Sequence, residues 1–475
     1  MSNKGNTINE APYIKLWKFK MRFPGIHYKF EPADYVQGLM MGAVCLSIIP
    51  ILTSTLGMPF EVAIAIVILN GFFYLWHSWL GDPVVPGWVT PAIPLLIAYV
   101  SAFPAGPERM HALIAFQMVL GVWCLFLGVT GLSKKVITSI PQSIKAGVIL
   151  GAGILAINLV FCKGGKFEAL PITVLVCALV ALFMMYNPGF KKLAQTNKVL
   201  HFISNLGILP AIIMAIIVAA AVGEAHFAIQ WGITKPAFGA LWTDWVPWGK
   251  LGWPSLNMYI SSLPLVLAAY IVIFGEAVQG AAVIADAQPS RPDEIVEYDP
   301  DRSHLIVGIR NFCMSILGPD ISMCGPLWAA MTVVIYERWK KGADSMKSIY
   351  GGVGSFRLGT FTMYWLLPLV SITKPILTAA LSLTMTIQGF VAVYVGIREA
   401  RSLKDLGIAG IVAGLLVAKG AAWAFGAGIV ICLVIYGKDF FKGDTTAAPL
   451  WADQAKAKAP IYTGSQVEAQ VAMTE

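Results

Sequence analysis

Apolar runs of about 20 residues, broken by short polar or Gly/Pro-rich stretches, recur from Tyr35 to Tyr436. A helical run of that length spans the hydrocarbon core of a bilayer. The pattern therefore predicts an all-α polytopic membrane protein with about 14 transmembrane segments. The first seven cover 35–57, 61–80, 88–100, 111–132, 140–161, 170–186 and 206–222. A polar stretch rich in tryptophan follows, with Trp231, Trp242, Trp245, Trp248 and Trp253, as expected at a membrane–water interface. The second seven cover 259–285, 305–317, 325–336, 358–372, 375–397, 406–418 and 423–436. The implied organisation is an N-tail (1–34), a first repeat (35–225), a Trp-rich external connection (226–258), a second repeat (259–437) and a short polar C-tail (438–475).

An odd number of segments per half places two similar halves in opposite orientations, an inverted repeat. Its sequence pointer is a pair of short, Gly/Pro-broken segments at corresponding positions. The third segment carries Gly81, Pro83, Pro86, Gly87, Pro91 and Pro94, and the tenth carries Gly318, Pro319, Gly325 and Pro326. Both are expected to be half-helices preceded by extended backbone, which membrane depth tolerates only where protein or a cavity supplies its hydrogen-bond partners. The bland alternative is a pair of Pro-kinked helices with no site between them.

Of the 475 residues 57% are hydrophobic and 13% charged, half the charged fraction of a soluble domain. The net charge of +8 does not point to nucleic acid, because the 34 Lys and Arg are spread thinly between apolar runs. Their use is topological. With the N-terminus inside, only Arg109, Lys163, Lys166, Lys235, Lys250, Lys374 and Lys419 fall outside, leaving 27 of 34 inside. That split predicts a multi-pass protein of the plasma or inner membrane with both termini cytoplasmic. The seven cysteines show no CxxC spacing and read as buried thiols rather than a disulfide or metal framework. No cleaved signal peptide is evident. No nucleotide-binding, hydrolase or zinc-protease motif is present, so neither an enzyme nor a cofactor is expected.

Inside the eighth segment stands one charge, Glu276, with Gln279 on the same helical face. An acid at that depth must face the protein interior, pair with a cation or bind a proton; alternatively it snorkels to the membrane surface. Gln37, Asn70, His77 and Asn158 are weaker signals, and for His77 an interhelical hydrogen bond is preferred to a proton relay. Asp82 and Asp320 precede the broken segments and are read as caps of their helices.

Four stretches carry a family resemblance: Gly38 to Pro50, Ile140 to Gly153, Leu263 to Glu276, and Pro375 to Arg398. Together they make the core from about Asp34 to Lys438 resemble the nucleobase-cation symporters typified by uracil permease. More distantly it resembles the sulfate permeases and bicarbonate transporters that share a seven-plus-seven inverted fold. The tenth segment departs from the first of these, with Pro326, Leu327 and Trp328 where relatives carry a second Glu or a polar residue followed by Asn and Gly. The C-tail is too short for the regulatory domain of sulfate permeases.

The resemblance implies a core domain (segments 1–4 and 8–11) moving against a gate domain (5–7 and 12–14), in a homodimer within the lipid bilayer. Half-helix N-termini near Val89 and Gly325 would offer their positive dipole ends to an anionic or electronegative solute. The expected substrate site comprises Glu276, Gln279, Val89, Thr90, Ser322, Cys324, Gly325 and Gln37, with Glu276 also handling a coupling H+ or Na+. The expected function is proton- or sodium-coupled uptake of a small anionic or nucleobase-like solute by alternating access. The alternatives are an uncoupled anion exchanger or channel of the sulfate-permease-like type and, from another class, a non-transporting scaffold or sensor.

Overall fold

The computed structural model describes residues 9–441. The C-tail from residue 442 and the first eight residues lie outside them. Residues 9–30 form two small sheets: β1 (Asn9–Glu10) pairs in parallel with β4 (Glu294–Ile295), and β2 (Ile14–Leu16) pairs antiparallel with β3 (Phe19–Met21). The first half continues with α1 (Pro32–Leu46), α2 (Ile49–Leu56), α3 (Phe60–Trp79), α4 (Ile93–Ser101), α5 (Pro107–Thr130), α6 (Ser133–Thr138), α7 (Gln142–Phe161), α8 (Pro171–Tyr186), α9 (Pro188–Thr196), α10 (Lys198–Asn205) and α11 (Leu209–Ala221). After α12 (Phe238–Asp244) come α13 (Leu256–Ala287), α14 (Pro300–Leu317), α15 (Ala329–Trp339), α16 (Ile349–Trp365), α17 (Leu367–Thr373), α18 (Leu377–Glu399), α19 (Leu403–Lys419) and α20 (Ala421–Tyr436). Proline opens many of these helices, where its missing N–H has no intrahelical acceptor to lose.

Among the described residues seven helical stretches are long and apolar enough to cross a bilayer, or eight if α8 and α9, bent by 64°, form one span. The protein is an integral, multi-pass membrane protein. Its helix pairs obey an inverted repeat. Exchanging each first-half helix for its second-half counterpart (α1 for α13, α3 for α14, α5 for α16, α7 for α18, α8 for α19, α11 for α20) maps the packed pairs onto one another. Thus α1·α16 becomes α13·α5, α5·α14 becomes α16·α3, α7·α19 becomes α18·α8, and α8·α11 becomes α19·α20. The pair α7·α18 maps onto itself.

Close approach within these pairs is made by glycine. A Cβ on Gly38 would lie 1.9 Å from the Phe356 carbonyl oxygen, and one on Gly359 would lie 2.1 Å from that of Tyr35. The two glycines let α1 and α16 touch backbone to backbone. In the Trp-rich connection, the indoles of Trp242 and Trp248 donate to Leu317 O (3.0 Å) and Ile316 O (2.7 Å), serving carbonyls at the end of α14 that lack intrahelical donors.

Three cations assigned to the inside set are buried within helices. Arg302 and Arg310 belong to α14 and Arg357 to the middle of α16, each at most 1% exposed. Such arginines report packing or chemistry, not sidedness. The ninth and eleventh segments also start earlier than expected, at Pro300 and Ile349, because a hydropathy reading stops at a charge whether or not the helix does.

The N-terminal segment is tied to the α13–α14 connection by ions. Lys20 bridges Glu10 and Glu297, and Arg22 is buried between Glu10 and the Tyr350 ring. The hydrogen bond from Lys20 holds the Glu297 carboxyl below the usual carboxylate range, against the opposing effect of partial burial and with help from Arg302. A carboxyl depressed in the folded state contributes stability above its unfolded pKa of about 4.3 and loses it as pH falls through the folded value. Because Glu297 is 46% exposed, the contribution is about 0–1 kcal/mol. Wild type should therefore melt slightly above Glu297→Gln at pH 7, and the difference should vanish near pH 3 in paired thermal scans.

Candidate functional site

The two broken segments cross at the centre of the fold. The backbone from Gly81 to Val89 is not helical, and a single 3-10 turn (Thr90–Ala92) then leads into α4. The stretch from Gly318 to Trp328 is likewise non-helical before α15. The stretches run antiparallel and use each other's backbone: Gly325 N–H donates to Gly87 O (2.8 Å), Val89 N–H to Ser322 O (3.2 Å) and Trp328 N–H to Val85 O (2.5 Å). The demand of non-helical backbone for partners at depth is met partly within this crossing and partly by side chains such as Thr332, which accepts from Val85 N–H (3.1 Å). The second half-helix begins at Ala329 rather than near Gly325, because the stretch up to Trp328 is committed to Val85.

Behind the crossing lies a polar cluster. Asp320 accepts from Asn70 (2.6 Å), from the Ser322 amide (3.0 Å) and from the Ser322 hydroxyl, while its own N–H donates to Gln117. Asn311 accepts from Cys324 N–H and donates to Cys324 O, both at 2.9 Å. Asp82 lies 3.0 Å from His77 Nδ1 and accepts from Ser303 (2.8 Å). Asp82 thus ties α3 to α14 and Asp320 fastens its own turn, rather than capping α4 or α15. His77 joins this cluster, with Arg310 donating at its Nε2. Arg310 also donates to Gly325 O at 3.3 Å.

In front of the crossing is a cavity of about 210 Å3, partly open to solvent. Glu276, Gln279 and Thr90 line it. Val89, Ser322 and Cys324 are buried in or behind the crossing, and Gln37 lies outside the lining. Gly325 also lies off the wall but makes room for it: a Cβ there would stand 2.9 Å from Glu276 Oε2 and 3.0 Å from the Trp88 carbonyl. The Leu327 N–H lies close to the Glu276 carboxyl, and Oε2 has no partner among the described residues.

The cavity also holds a residue the hydropathy reading passed over. Arg357 lines it, is 1% exposed, and none of its three guanidinium nitrogens has a hydrogen-bond acceptor among the described residues. The Cys45 thiol lies alongside. The guanidinium carbon is 4.1 Å from the Tyr74 ring centre and 5.1 Å from that of Trp328. Arg310 approaches the same Tyr74 ring at 4.3 Å. Desolvating a cation costs several kcal/mol, which ring contacts of about 0.5–2 kcal/mol each offset only in part. A purely structural arginine in such a place is normally saturated with acceptors, as Arg310 largely is. The sequence signal for Arg357 is a lone cation after a glycine-rich turn of helix, Gly351, Gly352 and Gly354, with apolar residues continuing on both sides.

No family model matches the chain, and no curated protein matches it in sequence. Among solved structures it is similar to the transmembrane domain of a cyanobacterium bicarbonate transporter, BicA, with a TM-score of 0.53 and 15% identity over 82% of this chain and 96% of that one. It is also similar to SLC26A9, with a TM-score of 0.51 and 14% identity over 84% of this chain; the match spans 65% of that longer protein. At such identities the shared property is the fold, which agrees with the inverted repeat and the two broken helices. Neither structure is a nucleobase permease, and the expected kinship with uracil permease receives no support from them.

Proposed function

We propose that the protein is a secondary transporter that carries a small anion across its membrane by alternating access, with the cavity before the crossing as its substrate site. The observation that carries this reading is the buried, acceptor-free Arg357 in a cavity also lined by the first residues of α15. A fixed cation and a helix N-terminus together favour an anion. Thr90, Glu276 and Gln279 add to the polar lining, with Thr384, Gln388 and Glu399. Gly325 gives Glu276 its room, and Val89, Ser322 and Cys324 hold the crossing in register.

The moving parts in this reading are a core of α1–α5 with α13–α16 and a gate of α7–α11 with α18–α20, within repeats 35–225 and 259–437 joined by 226–258. Packing supports the division: α1·α16, α5·α14, α5·α13 and α3·α16 lie within the core, and α7·α18, α7·α19, α8·α18 and α19·α20 within the gate. The cavity lies between them, with Trp328 and Arg357 on one wall and Ile149 and Ile387 on the other. Its lining extends to Glu399 at the end of α18. With both termini cytoplasmic, that end faces inward. Homodimer assembly is carried over from the resemblance alone.

The fold likeness suits an uncoupled anion exchanger at least as well as a symporter driven by H+ or Na+, and Glu276 separates the two. In proteoliposomes, a symporter accumulates anion when either cation gradient is imposed, and Glu276→Gln should lose that component while retaining anion exchange. Wild-type uptake indifferent to both gradients would establish the uncoupled mode. The transport reading fails if chloride, bicarbonate, sulfate and benzoate all show neither flux nor stabilisation of the purified protein, an outcome that favours a scaffold or sensor.

A further inference from the structure

The cavity is electrically lopsided. Its strong donors gather at one end, where Arg357 meets the opening of α15. The N–H groups of Ala329, Ala330 and Met331 precede the first intrahelical bond of that helix, from Thr332 N–H to Trp328 O, and have no intrahelical acceptor. The opposite half-helix is poorer. Pro91 and Pro94 carry no N–H, and the Ala92 N–H is taken by Val89 O. Beyond this end the wall is mostly apolar, with Ile271, Val272, Ile387 and Val395, interrupted by the neutral polar groups of Thr90, Gln279 and Gln388. Two acids, Glu276 and Glu399, line the same space.

A small inorganic oxyanion exposes charge on every side, so a site that strips its water must supply donors all round. Here much of its surface would face apolar groups, and a second negative charge would oppose the two acids. A carboxylate fits. Its two oxygens match the guanidinium fork and the α15 N–H groups, and the rest of the molecule can cover apolar wall, with Trp328 and Tyr74 beside the head group. Building on the transport reading, we infer that the substrate is an organic monocarboxylate with an apolar body, held head-first by Arg357 and the N-terminus of α15.

The test uses the purified full chain in detergent, where passive leak of the neutral acid through a bilayer cannot intrude. Thermal stabilisation is titrated at pH 7 and constant ionic strength with the sodium salts of acetate, butyrate, hexanoate, benzoate, chloride, bicarbonate and sulfate, and with benzyl alcohol as a neutral control. Apparent affinity should rise by about fourfold per methylene from acetate to hexanoate. Benzoate should bind while benzyl alcohol does not, and Arg357→Gln should abolish the carboxylate response. Trp328→Ala should weaken benzoate more than butyrate. Stabilisation by bicarbonate, chloride or sulfate equal to or greater than that by benzoate would overturn the substrate class and leave the anion-transport reading standing. Equal effects of benzoate and benzyl alcohol, or a response unchanged in Arg357→Gln, would overturn the head-first arrangement. No response to any anion, together with no flux in proteoliposomes, would remove the transport reading itself.

Discussion

Arg357→Gln should cost the protein its anion transport and leave its melting temperature unchanged or raised. A buried cation without acceptors is a net burden on the empty protein, since its desolvation is repaid only by neighbouring rings and by whatever anion arrives. Removing the charge relieves that burden. The same change deletes a buried charge-assisted contact to substrate worth about 2–5 kcal/mol, a loss on the order of 30-fold to several thousand-fold in affinity. Arg357→Lys keeps the charge but not the planar fork, and should fall between. Counterflow with labelled anion and thermal unfolding of the same preparations decide the matter. A Gln variant that transports normally would exclude Arg357 from the site. One that melts far below wild type yet still binds anion would make it a packing residue.

The second large effect is expected at a helix contact. Gly38 and Gly359 face the backbone of the opposite helix across the α1·α16 contact, and a methyl group at either would sit about 2 Å from a carbonyl oxygen, where no side chain can yield. Gly38→Ala and Gly359→Ala should each destabilise by about 1–3 kcal/mol or more, because the helices must part. The variants should not be additive, since once α1 and α16 have separated to admit one methyl the second meets less resistance. Transport should fall too, because Gly38 lies against Phe356 and Gly359 follows Arg357 by two residues, so any shift of α16 moves the guanidinium relative to Trp328. Melting temperatures of both singles and the double variant, with flux measured alongside, test this. A double variant as stable as wild type would show that the contact is looser than described.

Much of this architecture is visible in the residue order. The half-helices announce themselves because Gly and Pro cannot sustain a helix at Gly81–Pro94 and Gly318–Pro326, and Glu276 stands out as the one acid in an apolar run. Arg357 escapes a rule that takes a cation as the end of a span, and Arg310, inside the expected ninth segment, reads only as one more cation of the inside set. Only the tertiary setting separates Arg310, bonded to His77 and Gly325 O, from Arg357, which has no acceptor among the described residues. The roles of Ser322 and Cys324 were illegible for a related reason. Each is a small polar group in a broken segment, and whether it faces the cavity or the cluster around Asn70 and Asn311 depends on a turn in which Met323 adopts positive φ, rare for a side-chain-bearing residue.

The crossing also bears on how the chain can be made. Val85 and Gly87 offer carbonyls, and Val89 an N–H, whose partners are Trp328, Gly325 and Ser322, more than 200 residues further along. At ordinary rates of synthesis those partners emerge on the order of 10–50 seconds later. During that interval the nascent first half has helices ready for lipid and one stretch of backbone that lipid cannot satisfy. Release into the bilayer must therefore wait for the second half, or the unpaired stretch must be kept wet or shielded by the insertion machinery. The duplicated halves are in this sense a single biosynthetic unit.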